Sequence, residues 1–128
     1  MTHSFPLRVY YEDTDLAGIV YYANYLKFIE RARSEWVRDL GVDQKQMKAD
    51  GLVFAVRRVE ADYLAPAHYD DELVVETVMQ PGSGARMVVR QDVKRDDVLL
   101  FSTLVTIICM TATGTPARLP AAIRRLAP

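Results

Sequence analysis

A single long amphipathic segment, residues 22–40, dominates the first half of the chain, and the segments after residue 51 have strand character. Apolar side chains recur in it every three or four residues, which is the spacing of one helical face. The apolar positions are Tyr22, Tyr25, Leu26, Ile29, Ala32, Trp36, Val37 and Leu40. Gly41 follows as a helix-ending residue. The pattern predicts one helix of about five turns, followed by a shorter helix over residues 42–50.

The strand pattern predicts one strand before the long helix and four after it. The predicted strands cover residues 5–11, 53–65, 72–80, 86–95 and 98–110. Short turns separate the last three strands, and turns of this length join antiparallel neighbours. A single helix can cover only one face of such a sheet. We therefore predict one α+β domain spanning residues 1–128, with an antiparallel sheet and one long helix.

The segment at residues 98–110 is apolar on both faces, which is typical of an interior strand. Because one helix covers one face only, the second face needs another cover. The simplest cover is a second copy of the chain. The sequence therefore predicts an obligate homo-oligomer.

Composition excludes several classes of function. The 128 residues carry a formal net charge of −1, whereas nucleic-acid binders need a basic surplus. No apolar run approaches the roughly 20 residues of a membrane span, and the first residues lack the pattern of a signal peptide. The only cysteine, Cys109, lies in an apolar run, so we expect a buried thiol and no disulfide. We expect a cytoplasmic protein without metal or cofactor.

Two carboxylates, Asp13 and Asp15, precede the long helix by one short turn that contains Gly18. A helix N-terminus has unpaired N–H groups and about half a positive charge, which stabilise an oxyanion. A carboxylate beside such a site is a minimal apparatus for attacking an activated carbonyl. From the motif alone either aspartate could fill this role, and the alternative interpretation for Asp13 is that it organises the loop by accepting backbone N–H bonds.

The stretch YYEDTDLAGIVYYANYL at residues 10–26 resembles the opening motif of the 4-hydroxybenzoyl-CoA-thioesterase-like hotdog proteins, especially the Tol–Pal-associated acyl-CoA thioesterases. Residues 28–36, 63–67 and 115–120 are similar to that family as well. The resemblance implies a hotdog fold, in which a curled antiparallel sheet wraps a long helix. It also implies dimers that pair into homotetramers, with active sites at the dimer interface, and hydrolysis of acyl-CoA.

Carried over to this chain, the resemblance implies that Asp15 is the catalytic aspartate. It implies that the backbone N–H of Tyr22 polarises the thioester carbonyl. Many Tol–Pal-associated members have His at that position, but a backbone donor works under either side chain. Asp15 could attack the thioester carbon or activate water, and the sequence leaves both routes open. A module that binds acyl-CoA or an acyl carrier protein with little catalysis is the alternative function.

Other charged residues have structural or binding interpretations. We predict an ion pair between Glu30 and Arg33, one turn apart on the helix. A catalytic triad would need His3 or His68 as its imidazole. We expect both on the surface, and we expect His3 to lie in a loose terminus. The 3′-phosphate and diphosphate of CoA need cations. For these we predict Arg86, beside the 82–84 hairpin turn, and Arg118 in the tail.

Overall fold

A computed structural model of the chain describes residues 1–126. Residues 127–128 of the predicted domain lie outside the described residues. Five strands form one antiparallel sheet in the order β1-β3-β4-β5-β2. The strands are β1 His3–Arg8, β2 Leu52–Tyr63, β3 Glu72–Ser83, β4 Arg86–Arg95 and β5 Val98–Thr111. The helices are α1 Asn24–Asp39, α2 Gln44–Ala49 and the short α3 Ala121–Arg124.

The long helix α1 packs its apolar stripe against the concave face of the sheet. Its 16 residues span about 24 Å. The buried side chains of α1 are Tyr25, Phe28, Ile29, Ala32, Trp36 and Val37. The helix begins at Asn24, two residues after the predicted start, because the Asn24 N–H closes a turn onto the Tyr21 carbonyl at 2.8 Å. Tyr22 therefore lies in the turn that leads into the helix.

Strands β3, β4 and β5 alternate buried and more exposed residues, so each contributes one face to the core. The strand β5 lies between β4 and β2, as predicted for an interior strand. The hairpin between β3 and β4 turns at Ser83, which pairs with Arg86. A Cβ atom placed on Gly82 would lie 2.7 Å from the Arg86 carbonyl oxygen. A larger residue at this position would therefore force the backbone to shift. The predicted hairpin turn is thus confirmed, with Gly84 and Ala85 at its tip and Gly82 and Ser83 still in β3.

The edge strand β2 differs from the rest of the sheet because its second half is exposed on both faces. From Arg57 to Tyr63 every residue is exposed, although β2 pairs with β5 from Arg58 to Tyr63. Val56 is 50% exposed, Val59 41% and Tyr63 48%. The strand thus presents apolar side chains and an unpaired backbone edge together.

The N-terminal strand β1 runs from His3 to Arg8, earlier than the predicted 5–11, and a 3-10 turn follows at Tyr11–Asp13. The expectation of a loose terminus at His3 was wrong. His3 pairs with Thr77 of β3, and its Nε2 lies 2.8 Å from the Asp39 carboxylate at the end of α1. Backbone pairing and this side-chain contact together order the terminus.

Candidate active site

Asp15 lies at the base of a small hairpin that immediately precedes α1. Thr14 and Val20 form a β-bridge, and the Asp15 N–H donates to the Ile19 carbonyl at 2.9 Å. Gly18 closes the loop at φ +82°, and its N–H donates to the Asp15 carbonyl. The carboxylate Oδ1 accepts the Ala17 N–H at 3.0 Å. One carboxylate oxygen is therefore held by the loop, while the side chain as a whole remains exposed.

Asp13 has the loop-organising role predicted for it. It is buried, and its Oδ2 accepts the Tyr10 N–H at 2.8 Å. Its backbone carbonyl accepts both the Tyr21 N–H and the Asn24 side-chain amide at 2.9 Å. These bonds connect the 3-10 turn to the start of α1. The two aspartates thus differ in environment, since Asp13 is engaged by the loop and Asp15 faces solvent.

The segment at residues 66–71 supports the Asp15 hairpin from outside. The Val20 N–H donates to the Ala67 carbonyl at 2.9 Å, and Ile19 forms a bridge with His68. The Ala67 N–H in turn donates to the buried Tyr25 hydroxyl at 3.0 Å. This segment thus joins the hairpin to the first turn of α1.

An ion pair fixes the same segment. Arg95 donates to the Asp71 carboxylate at 2.8 Å and to the Pro66 carbonyl at 3.3 Å. The His68 N–H donates to the same carboxylate oxygen of Asp71 at 2.8 Å. Burial opposes ionisation of Asp71, but these hydrogen bonds and the Arg95 charge prevail and hold its pKa below the ordinary value. His68 itself is on the surface, as predicted.

The turn that leads into α1 presents unused backbone donors. Among residues 1–126, neither the Tyr22 N–H nor the Ala23 N–H has a backbone acceptor. The Tyr22 carbonyl accepts the Tyr63 hydroxyl at 2.9 Å. The Tyr22 N–H is therefore available to a ligand, as an oxyanion donor must be.

Aromatic rings line this region. The Tyr22 ring, 61% exposed, makes edge contacts with Tyr21 and Tyr63 at centroid distances of 5.0 and 6.1 Å. Beneath them, Tyr25 stacks on Phe101 at 4.8 Å. Burial raises the pKa of both the Tyr25 and Tyr63 hydroxyls, so both remain protonated at neutral pH. The rings of Tyr25, Tyr63 and Phe101 form an apolar wall beside the free donors.

The two arginines predicted for CoA lie together but far from Asp15 in the same chain. The Leu119 N–H donates to the Gly84 carbonyl at 3.2 Å, which places the tail with Arg118 beside the start of β4, where Arg86 lies. Both are exposed. Arg86 pairs with Ile108 of β5, whereas Tyr63, at the end of β2, pairs with Phe101. Seven residues of strand separate these two pairs, about 23 Å.

The predicted ion pair between Glu30 and Arg33 is not formed. Arg33 donates to the Gln91 side-chain oxygen at 2.8 Å, while Glu30 accepts the Ser34 hydroxyl at 3.0 Å. The buried Gln91 amide also donates to the Ile29 carbonyl and to Thr77. The reason is burial, since Arg33 faces the sheet and Glu30 faces solvent. Burial lowers the pKa of Arg33, with Glu30 acting in the opposite direction.

The structure also bears on Cys109 and on metal and membrane interactions. Cys109 is buried, and burial raises the pKa of its thiol, as fits an unreactive core residue. Within residues 1–126, no cluster of three His, Cys, Asp or Glu side chains is arranged to hold a metal ion. None of the helices in this part of the chain is long and apolar enough to span a membrane.

The chain matches known proteins over most of its length. The sequence profile of the thioesterase superfamily matches residues 17–102. The acyl-CoA thioesterase YbgC of Haemophilus influenzae is 42% identical over 108 residues, covering 84% of this chain and 79% of that protein. The acyl-CoA thioester hydrolase YbgC of Escherichia coli O6:H1 is 40% identical over 106 residues, covering 82% and 79%.

Solved structures agree with this match. A probable thioesterase from Bartonella henselae superimposes with a TM-score of 0.89 at 38% identity, covering 94% of this chain and all of that one. A 1,4-dihydroxy-2-naphthoyl-CoA thioesterase from Synechocystis gives a TM-score of 0.90 at 23% identity, covering 98% and 95%, and so shows the fold alone. The chain belongs to the thioesterase superfamily. The predicted family and hotdog fold are confirmed, and the protein is a thioester hydrolase.

Sequence reasoning missed two groups that shape the site. Tyr63 belongs to the 63–67 stretch that resembles the family, but only the fold reveals its bond to the Tyr22 carbonyl. The pair of Asp71 and Arg95 joins residues 24 positions apart, which no local pattern indicates.

Proposed function

We propose that the protein hydrolyses acyl-CoA to a free acid and CoA, with Asp15 as the catalytic carboxylate and the Tyr22 N–H as an oxyanion donor. The observation that carries the proposal is an exposed carboxylate and a backbone N–H without an acceptor at the two ends of one bridged hairpin. Asp15 exposes a carboxylate, and Tyr22, two residues past the Thr14–Val20 bridge, has a free N–H. A nucleophile or base beside a preorganised donor is what acyl transfer requires.

In this proposal the thioester oxygen binds at the Tyr22 N–H as charge develops on it. Asp15 either attacks the carbonyl carbon or takes a proton from an attacking water molecule. When Asp15 attacks, the carbon–sulfur bond breaks as a mixed anhydride forms, and water then hydrolyses the anhydride to release the acid and restore the carboxylate. When Asp15 activates water, the water oxygen adds to the carbonyl carbon and the carbon–sulfur bond then breaks. In both routes the CoA thiolate leaves and is protonated. The donor stabilises the developing charge electrostatically, and a backbone N–H held in place needs no reorganisation during the reaction.

The substrate assignment rests on the relatives named as acyl-CoA thioesterases, which are about 40% identical to this chain. Arg86 and Arg118 supply cations for the CoA phosphates. Both lie about 23 Å along the sheet from the Tyr63 end. If two copies pair through their β2 edges, the two-fold axis reverses the strand direction. The arginines of one protomer then approach the Asp15 site of the other, which favours sites shared between protomers.

We propose a homotetramer built from such dimers, acting in the cytoplasm. The exposed half of β2 supports the dimer, because an unpaired strand edge with apolar side chains such as Val59 and Tyr63 is otherwise prone to aggregation. The single buried Cys109 is compatible with a reducing compartment. Size-exclusion chromatography with light scattering tests the assembly, and a stable 14.5 kDa species with full activity would contradict it.

Hydrolysis of a panel of acyl-CoA and acyl-carrier-protein substrates, monitored by thiol release, tests the reaction. We expect turnover with acyl-CoA, and we expect it to survive exhaustive chelation. Tight binding of acyl-CoA or an acyl carrier protein without turnover would favour a binding module instead. Activity lost in EDTA and restored by zinc would overturn the carboxylate mechanism.

A further inference from the structure

The peptide that joins Tyr22 to Ala23 is held by a side chain from the far edge of the sheet. Its carbonyl accepts the Tyr63 hydroxyl at 2.9 Å. A helical carbonyl would normally receive an N–H four residues later, but the Leu26 N–H donates to Ala23 at 3.2 Å. Within residues 1–126 the Tyr63 hydroxyl is thus the donor that the Tyr22 carbonyl uses.

This hydrogen bond acts on the neighbouring donors through the geometry of the peptide unit. Because a peptide is planar and trans, fixing the carbonyl also fixes the N–H of Ala23, which points the opposite way. A bond accepted at the carbonyl polarises the same peptide and strengthens its N–H as a donor. It also restrains the Tyr22 backbone, which carries the first free N–H.

Tyr63 is itself held firmly. It is the last residue of β2 and pairs in register with Phe101 of β5. Its ring contacts Phe101 at a centroid distance of 4.8 Å and Tyr25 at 5.7 Å. Burial raises the pKa of its hydroxyl, so the group remains a hydrogen-bond donor throughout the neutral range. Because its ring is packed against Phe101 and Tyr25, the Tyr63 hydroxyl can bind the Tyr22 carbonyl without a change of side-chain conformation.

We propose that Tyr63 is a positioning residue for the reaction, which fixes the 22–23 peptide so that the N–H groups of Tyr22 and Ala23 together receive the thioester oxyanion. The inference rests on the proposed function and adds a second donor, Ala23, and an anchoring hydroxyl to it. Tyr63 acts through the peptide and does not touch the reacting atoms. The oxyanion site then depends on β2, the strand whose edge is exposed.

The kinetic test compares Tyr63→Phe with Tyr21→Phe. The first change deletes the anchoring hydroxyl and keeps the ring. The control deletes a hydroxyl from the other ring that contacts Tyr22 and has no described acceptor. We expect Tyr63→Phe to lower kcat by about 2- to 12-fold, as loss of one ordinary hydrogen bond does. KM should stay within about twofold of wild type, because the donors act on the transition state, and Tyr21→Phe should keep the wild-type kcat.

A spectroscopic test is independent of activity. Tyr22–Ala23 is the only Tyr–Ala pair in the sequence. Labelling tyrosine with ¹³C at the carbonyl and alanine with ¹⁵N therefore gives one carbonyl–amide NMR correlation, which reports this peptide alone. We expect Tyr63→Phe to shift both the Tyr22 carbonyl and the Ala23 amide resonances. Tyr21→Phe should leave the Tyr22 carbonyl resonance near its wild-type position.

Three results would overturn the inference. An unmoved correlation in Tyr63→Phe would show that the bond is absent in solution. A moved correlation with unchanged kcat would show that the bond does not serve catalysis. A rise in KM alone would make Tyr63 a binding residue. All three leave the proposed function intact if wild type hydrolyses acyl-CoA and Asp15→Asn does not, whereas failure of wild type to hydrolyse it would end both.

Discussion

The chain has two clusters of polar groups next to α1, and they differ in how fully their hydrogen bonds are used. Around Gln91, the buried side-chain amide is hydrogen-bonded to Arg33, Thr77 and the Ile29 carbonyl, and both Gln91 and Thr77 are fully buried. Around Asp15, the carboxylate is exposed and the Tyr22 N–H is free. Buried polar groups must be paired, so the first cluster serves the fold.

Polar groups that have no protein partner are open to water or to a ligand, and binding and catalytic groups are concentrated on loops of this kind. We therefore expect the Gln91 cluster to serve stability and the Asp15 cluster to serve catalysis. Changes near Asp15 should reduce turnover and leave stability intact, and changes at Gln91 should do the reverse. Four variants test this separation, in order of decreasing effect.

Asp15→Asn should have the largest effect. The amide keeps the shape but cannot act as nucleophile or base, so kcat should fall by about 10²–10⁴-fold. Thermal unfolding should be nearly unchanged, since Asn can still accept the Ala17 N–H. The matched control is Asp13→Asn, the same change at the buried aspartate two residues earlier, which should retain most of kcat. A turnover above about a tenth of wild type in Asp15→Asn would move the catalytic role elsewhere.

Tyr22→Pro should come next, compared with Tyr22→Phe. Proline removes the backbone N–H, whereas Phe keeps it. Loss of one oxyanion donor typically lowers turnover by about 10²–10³-fold. Because Tyr22 precedes α1, Pro should not break the helix, which circular dichroism can verify. Turnover is measured at saturating acyl-CoA, and equal damage from both changes would assign the chemistry to the phenol ring.

The sequence predicted the fold well because its signals are local. The apolar spacing of α1 and the turns between strands depend on neighbouring residues, and the order of elements followed from them. Asp13 and Asp15 could be ranked only by the resemblance. Burial distinguishes them physically, since Asp13 lies inside the loop and Asp15 outside.

What could not be predicted depends on contacts between residues distant in sequence. Glu30 was the nearest partner of Arg33 along the chain, yet Arg33 bonds Gln91, 58 residues away. The Tyr63 bond to Tyr22 spans 41 residues. Such contacts arise from the register between strands and the angle of α1 across the sheet, which no local pattern determines.

Gln91→Leu tests the closed cluster. It removes the acceptor of Arg33 and the donor to Thr77, leaving a partly buried cation without its partner. The free energy of unfolding should fall by about 2–4 kcal/mol, measured by urea denaturation. Gln46→Leu makes the same change at an exposed site on α2, and it should alter the free energy of unfolding by less than about 0.5 kcal/mol. A strong loss of kcat in folded Gln91→Leu, with stability unchanged, would reverse the roles of the two clusters.

The smallest expected effect concerns the Asp71–Arg95 ion pair. Like the Gln91 cluster it is hydrogen-bonded, but it is partly exposed and it supports the Asp15 hairpin. The pKa of Asp71 is lower in the folded state than in the unfolded chain. Its stabilisation is therefore present above the unfolded value, about 3.9, and is lost as pH falls through the folded pKa.

Asp71→Asn should accordingly lower the melting temperature by a few degrees at neutral pH, with the gap to wild type narrowing below about pH 4. Arg95→Gln should reduce this pH dependence, because it removes the cation that holds the carboxylate ionised. Melting curves of the three proteins between pH 6 and pH 3 measure the effect. A gap that widens as pH falls would mean that the folded state prefers protonated Asp71, and the pair would then not stabilise the support of the hairpin.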